Sequence, residues 1–255
     1  MEDPALLSVA VYQSHAYRTY LRFHLIGTNY FVFARNYEEL RKLLLASQNP
    51  DAFHKLWTQD KQEEMLIVMR ELIRLLYNFV ASAKTLVDHT RAVIEDWYSN
   101  TDFLEEYKSE VQQRFVGNPV TGFVEELRNY TLHFRLPLTN ARFAVATDPS
   151  SQEQTAIQAF VLDRSELMQW LKWTSKGKPY LEAADEEIVV LELVDQYYQE
   201  IRGFHDWMMR RLEEIHADEM SWLKEMEERV QKALHAQRAR FEQEKSQKHQ
   251  ATGGS

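Results

Sequence analysis

A long apolar stripe constrains the fold of this chain more than any other feature of its sequence. Between Gln62 and Trp97, apolar side chains recur every three or four residues, which is the spacing of one helical face. Gly and Pro number only 7 and 6 in 255 residues, a scarcity that disfavours an all-β fold. We therefore expect a mainly α-helical protein. The stripe comprises Leu66, Met69, Leu72, Ile73, Leu76, Phe79, Val80, Ala83, Leu86, Val87, Thr90 and Ile94.

Turn-forming residues divide the remaining chain into further predicted helices. One begins at Gly117–Pro119 and stops within a few residues of His133, because Leu136 precedes Pro137 and is biased away from helix. The run 27–29, Gly-Thr-Asn, is expected to interrupt the first helix. The other predicted helices cover 5–33 with that interruption, 37–46, a segment from Asp51, 101–117, a short segment from 163 or 165 to 173, 182–215 and 218–245.

The pattern changes to that of β-strands at one place. Residues 142–147 alternate between the two sides of a strand, 148–151 carry a turn signal, and 155–162 resume the alternation. We predict a β-hairpin over 141–163 as the only sheet, packed on the helices because two strands alone are marginally stable. The fold class is then a helical bundle with a small β-hairpin insertion and a long C-terminal helix.

The predicted organisation has four segments. Residues 1–60 form an N-terminal helical segment packed on the core, and 61–215 form the helical core that includes the hairpin. Residues 216–250 form a charged helix whose narrow apolar stripe suits either a helical pairing seam or a solvated, frayed helix. Residues 251–255 resemble a linker or the remnant of a tag.

Several kinds of chemistry are excluded or disfavoured by composition. The chain has no Cys, which excludes disulfides, thiolate nucleophiles and cysteine metal sites. It has no Gly-rich phosphate loop, and His205, Asp206 and His216 lack the His-Glu-x-x-His spacing, so we interpret them as solvated helix residues. We expect no metal and no cofactor.

The environment of the chain is also predicted from its sequence. The acidic start Met1–Pro4 lacks the features of a secretory signal, and no run approaches the ~20 apolar residues of a membrane span. We therefore expect a cytoplasmic protein outside the membrane. The formal net charge is −9, so any contact with RNA should be confined to a local site.

One short motif carries most of the functional prediction. Arg128 and Asn129 lie five and four positions before His133, near the end of a predicted helix. Asn129 and His133 are one turn apart and share a face. The same Arg/His spacing occurs at Arg211 and His216, but there the Asn and the helix end are missing.

A polar stripe on the long helix offers a second set of candidate site residues. Asn78, Ser82, Thr85 and His89 share one face of that helix. One interpretation is a solvated face or a face that contacts a partner. The other is that Asn78, Ser82 and His89 line the site of the motif.

Arg128-Asn129-x3-His133 on a late helix resembles the Arg-polar-x3-His signature of the HEPN superfamily (higher eukaryotes and prokaryotes nucleotide-binding). The segment 75–84 resembles the first long helix of that helical bundle, and the resemblance covers roughly residues 60–140. It implies a metal-independent endoribonuclease that acts on RNA as a homodimer, with both motifs meeting in one cleft. Members act as toxins or in antiphage defence, which implies an antitoxin or defence-complex protein as a partner.

The resemblance also implies a role for each motif residue. Arg128 would contact the scissile phosphate, His133 would be the general acid/base, and Asn129 would orient His133 or the phosphate. These roles are chemically reasonable, because RNA carries its own nucleophile, the 2′-hydroxyl. A His that titrates near neutrality suits proton transfer, and Arg offers a bidentate set of donors for phosphate oxygens.

A structural interpretation of the motif remains beside the catalytic one. In it, Arg128 pairs with Glu125 or another acid, and His133 caps the helix C-terminus. The protein would then be a non-catalytic HEPN-like helical module that mediates protein–protein interaction in a larger complex. Its exposed apolar patch is expected on residues 186–241.

Overall fold

The computed structural model describes residues 2–48, 62–137, 139–147 and 154–252. Within these ranges the chain forms nine helices and one three-stranded sheet, so the predicted fold class is confirmed. The helices are α1 Pro4–Gln13, α2 His15–Ser47, α3 Gln62–Trp97, α4 Asp102–Phe115, α5 Pro119–His133, α6 Arg164–Met168, α7 Lys178–Ala183, α8 Val190–Ile215 and α9 Ala217–Thr252. The strands are β1 Thr139–Thr147, β2 Gln154–Asp163 and β3 Glu187–Val189.

Contacts between residues divide the chain into two compact units. The first unit comprises Met1–Gly27 and Trp207–Ser255, and the second comprises Thr28–Asp206. The first 27 residues therefore group with residues 207–255. The division into four segments stays a prediction.

The core of the second unit is built on α3. Most of the apolar stripe of this helix between Leu72 and Ile94 is buried, and its contacts come from α2, α5 and α8. Leu66 and Val87, which the spacing also assigned to the stripe, are exposed. The surrounding helices contribute mainly large side chains, because a helix packs best when its ridges fill the grooves of its neighbour. They include Phe33, Leu40, Phe123, Leu127, Tyr130, Val194, Tyr197 and Ile201.

Local chemistry sets both ends of α5. At its start, the Asn118 side chain accepts hydrogen bonds from the backbone N–H groups of Val120, at 3.1 Å, and Thr121, at 3.4 Å. These bonds satisfy donors that a helix start leaves unpaired. At its end, the N–H groups of Phe134 and Arg135 both donate to the Tyr130 carbonyl, at 3.0 and 3.2 Å. The predicted stop at His133 is confirmed.

The predicted hairpin is confirmed, and the sheet contains a third strand, so the hairpin is not the whole sheet as predicted. β1 and β2 are antiparallel, with Thr139 opposite Leu162 and Thr147 opposite Gln154. β3 pairs antiparallel with the other edge of β2, and Val161 lies opposite Val189. The prediction of helix over 182–189 was therefore wrong beyond Ala183, where α7 ends. α8 follows β3 directly, at Val190.

Other predicted helix boundaries were also wrong, including the break between the predicted helices 5–33 and 37–46, which one helix spans. The helix α2 runs without a break through Gly27, and the interruption occurs at Ser14, whose hydroxyl accepts from the Tyr17 N–H at 3.0 Å. A Gly inside a helix costs only about 1 kcal/mol, which burial of neighbouring side chains offsets. The short helix α6 ends at Met168, before Trp173. The helix predicted from Asp51 and the turn at 148–151 lie outside the described residues.

In the first unit, α1 packs against α9. Leu223 and Met226 of α9 form a buried cluster with Val11 of α1 and Ala16 of α2, and Val230 packs against it. The narrow stripe of α9 thus has a pairing seam within the same chain over this stretch. Further along, Phe241 is exposed.

We predict opposite effects of Gly→Ala substitutions at two helical positions. Gly27→Ala should raise the free energy of unfolding by about 0.5–1 kcal/mol, because Ala is the better helix former and a Cβ there meets nothing within 4 Å. Gly122→Ala is the matched control and should lower it by about 1–3 kcal/mol, because its Cβ would lie 2.2 Å from the Lys176 carbonyl oxygen. Urea unfolding of the three proteins measures both. Equal effects of the two substitutions would contradict the packing described for Gly122.

Candidate functional site

The motif residues lie on the exposed face of α5. The side chains of Glu126, Leu127, Tyr130 and Thr131 are buried, whereas Glu125, Arg128, Asn129, Leu132 and His133 are half-buried or exposed. An α-helix turns by about 100° per residue, so Arg128 and His133 stand about 140° apart, at the two edges of this face. Asn129 and Leu132 lie between them.

Arg128 contacts its neighbour in the motif. Its Nη1 donates to Asn129 Oδ1 at 3.2 Å, and its backbone carbonyl accepts from the Thr131 hydroxyl at 2.8 Å. Across the described part of the chain, Arg128 forms no ion pair with a carboxylate. Glu125, the acid proposed for the structural interpretation, instead lies 4.0 Å from Lys84 Nζ and 3.7 Å from Lys176 Nζ.

His133 is the last residue of α5 and is exposed. Its ring makes no hydrogen bond or ion pair with any residue that the structure describes. The helix end is closed by backbone N–H groups at Tyr130, so the predicted alternative in which His133 caps the helix is wrong. The imidazole is therefore available to a molecule that approaches this face.

Arg135 holds the chain segment that follows the motif. Its Nε donates to the Tyr130 hydroxyl at 2.9 Å, and its Nη2 donates to Glu166 Oε2 at 2.7 Å and to Gln169 Oε1 at 2.9 Å. The bond to Tyr130 is the main reason why the pKa of Arg135 is raised, and the charge of Glu166 adds to it. Because these partners come from α5 and from the end of α6, Arg135 fixes how the chain leaves the motif.

Glu126 anchors a loop beside the motif. Its buried carboxylate accepts from the Thr174 N–H at 3.0 Å and, with its other oxygen, from the Thr174 hydroxyl. Two glycines permit this approach: a Cβ at Gly122 would meet the Lys176 carbonyl, and one at Gly177 would lie 2.6 Å from Glu126 Oε2. The loop 174–177 is thereby held against α5.

The polar stripe of α3 and Lys84, whose side chain reaches Glu125 of α5, lie on different faces of α3. His89 Nδ1 is 3.3 Å from Asn29 Oδ1 of α2, and the Ser82 hydroxyl donates to the Phe79 carbonyl at 3.0 Å. Lys84, which reaches Glu125, is about 130° around the helix from the centre of the stripe. Within the described ranges, no hydrogen bond joins Asn78, Ser82 or His89 to Arg128, Asn129 or His133.

The histidines interpreted as solvated helix residues are partly or fully buried. In the first unit, His216 is buried, with Nδ1 3.3 Å from Glu219 Oε1. In the second, the His205 ring stacks on Tyr30 with centroids 3.9 Å apart, and its Nε2 is buried without a described partner. Burial lowers the pKa of His205 to about 4, although the charge of Asp206 opposes the shift. The solvated interpretation was therefore wrong for both residues.

Comparisons with known proteins add no further constraint, because no family model, no curated protein and no solved structure matches this chain. The fold defines a mainly α-helical protein with a small antiparallel sheet. In the described ranges, no helix is both long and apolar enough to span a bilayer, and no group of three or more acidic or His side chains is arranged to hold a metal.

We predict that His205 makes the second unit less stable in acid. Its folded pKa of about 4 lies below the ordinary value of 6.5, so the unfolded chain binds more protons between these pH values. The contribution is fully present above pH 6.5 and is lost as the pH falls towards 4. His205→Phe keeps an aromatic ring against Tyr30 without the titration, and should lose less stability over this window.

Urea midpoints at pH 7.5, 5.5 and 4.5 measure this difference. His133→Phe, a ring substitution at an exposed position, is the control and should follow the wild-type profile. If the urea midpoints of the wild type and His205→Phe fall equally between pH 7.5 and 4.5, the acid sensitivity has another source.

Proposed function

We propose that this chain is a HEPN-like metal-independent endoribonuclease whose site residues are Arg128, Asn129 and His133, with Arg128 and His133 catalytic. The observation that carries the proposal is their placement on the exposed face of α5, with Arg128 unpaired to a carboxylate and His133 without a partner among the described residues. An Arg and a His that served only structure would be expected in ion pairs or helix caps. The resemblance in the motif supplies the reaction class and the absence of a metal requirement.

The reaction needs proton transfer and charge stabilisation. The 2′-oxygen of the RNA attacks the adjacent phosphorus, and the bond from phosphorus to the 5′-oxygen breaks. A base accepts the proton of the 2′-hydroxyl, an acid gives a proton to the leaving 5′-oxygen, and the products are a 2′,3′-cyclic phosphate and a 5′-hydroxyl. His133 suits either proton transfer, and the Arg128 guanidinium suits the charge on the phosphate oxygens.

Asn129 has a positioning role in this proposal. Its Oδ1 accepts from Arg128 Nη1 at 3.2 Å, which restricts the rotation of the guanidinium. A preorganised cation stabilises developing charge better than a mobile one, because it need not reorganise during the reaction.

A homodimer would complete the site. On one α5 helix, Arg128 and His133 diverge by about 140°, and one imidazole serves only one of the two proton transfers at a time. If the exposed faces of two α5 helices meet across a two-fold axis, Arg128 of one copy approaches the partner's His133. The cytoplasmic setting, the toxin or defence role and an antitoxin or defence-complex protein as a partner belong to the proposal through the family resemblance alone.

The test is an RNA cleavage assay in EDTA. His133→Ala should slow cleavage by about 10²–10⁴-fold, the usual contribution of a general acid or base. Arg128→Ala should slow it by about 10²–10³-fold, because a donor to the charged phosphate is lost. Arg211→Ala is the matched control, since Arg211 has the same spacing to a His, and it should cleave like the wild type.

The product ends give an independent readout. The proposal requires 2′,3′-cyclic phosphate ends from the wild type, and their absence with folded protein would overturn it. Equal cleavage by the wild type, His133→Ala and Arg128→Ala would place any activity at another site.

A second candidate function, a non-catalytic interaction module, is favoured by exposed apolar side chains in the first unit. Leu6 is 70% exposed, Val9, Leu21 and Leu25 are between 45% and 49% exposed, and Tyr12 is 62% exposed. A groove of about 1020 Å³ between α1, α2 and α9 lies on the same unit. The patch expected on 186–241 is sparser, since its large exposed apolar side chains in the described structure are Ile215, Trp222 and Phe241.

We predict that Leu6→Asp with Val9→Asp separates the two functions. If these side chains bind a protein partner or a second copy, the double variant should lose that association, because charge on an apolar contact is costly. Sedimentation velocity measures the association, and the RNA assay measures cleavage. A dimeric, inactive wild type that becomes monomeric with the substitutions would favour the interaction module over the ribonuclease.

A further inference from the structure

Lys176 stands beside the motif on a loop that is fixed in place. We propose that Lys176, together with the less exposed Lys84, contacts the phosphate backbone of the RNA strand. The contact lies at Glu125, one helical turn of α5 before Arg128. This inference rests on the proposed function and adds a binding surface to it. The side chain of Lys176 is 66% exposed and that of Lys84 is 20% exposed, so Lys176 is the residue that meets the strand directly.

The position of Lys176 follows from the buried Glu126. Both carboxylate oxygens of Glu126 hold Thr174, and the Lys176 N–H donates to the Thr174 hydroxyl oxygen at 3.2 Å. The close approach at Gly122 and Gly177 brings the loop backbone against α5. An exposed ion pair alone would not hold a loop so firmly, since such pairs contribute little. The loop therefore presents Lys176 at a defined place.

That place is the start of the exposed face of α5. Lys176 Nζ is 3.7 Å and Lys84 Nζ is 4.0 Å from the carboxylate of Glu125. Glu125 precedes Arg128 by three residues and Asn129 by four, which is the spacing of helical neighbours on one face. Lys84 and Lys176 thus both lie at Glu125, one helical turn before Arg128 on the exposed face of α5.

Local positive charge is needed for this chain to bind RNA. The chain has a net charge of −9, so RNA is repelled at long range and is held only where cations cluster. Lys84 also pairs with Asp88, and Glu125 is shared between both lysines. Because the pair between Lys176 and Glu125 is long and exposed, a phosphate can replace Glu125 as the partner of Lys176 at small cost.

The helix that follows this loop offers a matched control. Lys178 is two residues from Lys176 and is 50% exposed, but its ammonium lies 3.4 Å from Glu182 of its own helix α7. Lys176→Ala and Lys178→Ala therefore change the net charge equally, and in our proposal only the first removes a phosphate contact.

The experiment measures RNA binding as a function of salt. Each variant is made in the full chain with His133→Ala, which slows cleavage enough for a binding measurement. Fluorescence anisotropy with a labelled single-stranded RNA then gives the Kd from 50 to 200 mM NaCl. Lys176→Ala should raise the Kd severalfold and reduce the slope of log K against log salt by about 0.7, the value for one phosphate of a single strand. Lys178→Ala should leave the slope unchanged.

The outcomes separate this inference from the proposed function. If the chain with Lys176 intact cleaves and binds RNA and the two variants behave alike, Lys176 is not a phosphate contact, although the ribonuclease stands. If folded wild-type protein neither binds nor cleaves RNA, the proposed function fails and this inference fails with it. Thermal unfolding of each variant confirms that it is folded before binding is measured.

Discussion

Burial of the apolar face of α3 organises the second unit. Phe79, at its centre, is fully buried and lies 5.6 Å from the Phe33 ring of α2 and 5.9 Å from the Tyr197 ring of α8. Burial of each such side chain contributes about 1.5–3 kcal/mol to the free energy of unfolding, so the packing of this helix provides much of the stability of the unit. The exposed face of α5 is a geometric consequence: Leu127 and Tyr130 pack inwards, and Arg128, Asn129 and His133 remain outside.

The helices with strong local signals could be predicted from the sequence. α3 and α5 have an apolar period of 3.6 residues, and α5 also has clear signals at both ends. The structure places the end of α3 and both ends of α5 within a residue or two of the predicted bounds. Gly27 misled the prediction because a local preference of about 1 kcal/mol is smaller than the packing of the whole helix. β3 was missed because its three residues form a strand only through their pairing with β2.

The surroundings of the motif could not be predicted because they depend on distant residues. Glu126 meets Thr174, 48 residues later, and Arg135 meets Glu166 and Gln169, 31 and 34 residues later. No local pattern marks such partners. The motif residues themselves were found because their spacing is local, whereas Lys176 gained its position from a buried carboxylate and two glycines that the sequence does not connect.

The direct passage from β3 into α8 couples the sheet to the orientation of a core helix. No intervening residue separates Val189, which pairs with Val161, from Val190, where α8 begins. A slip of one residue in the pairing of β2 and β3 would shift the phase of α8 by about 100°. Tyr197 and Ile201 would then leave the core. The pairing of the three-residue strand β3 therefore determines which face of the 26-residue helix α8 is buried.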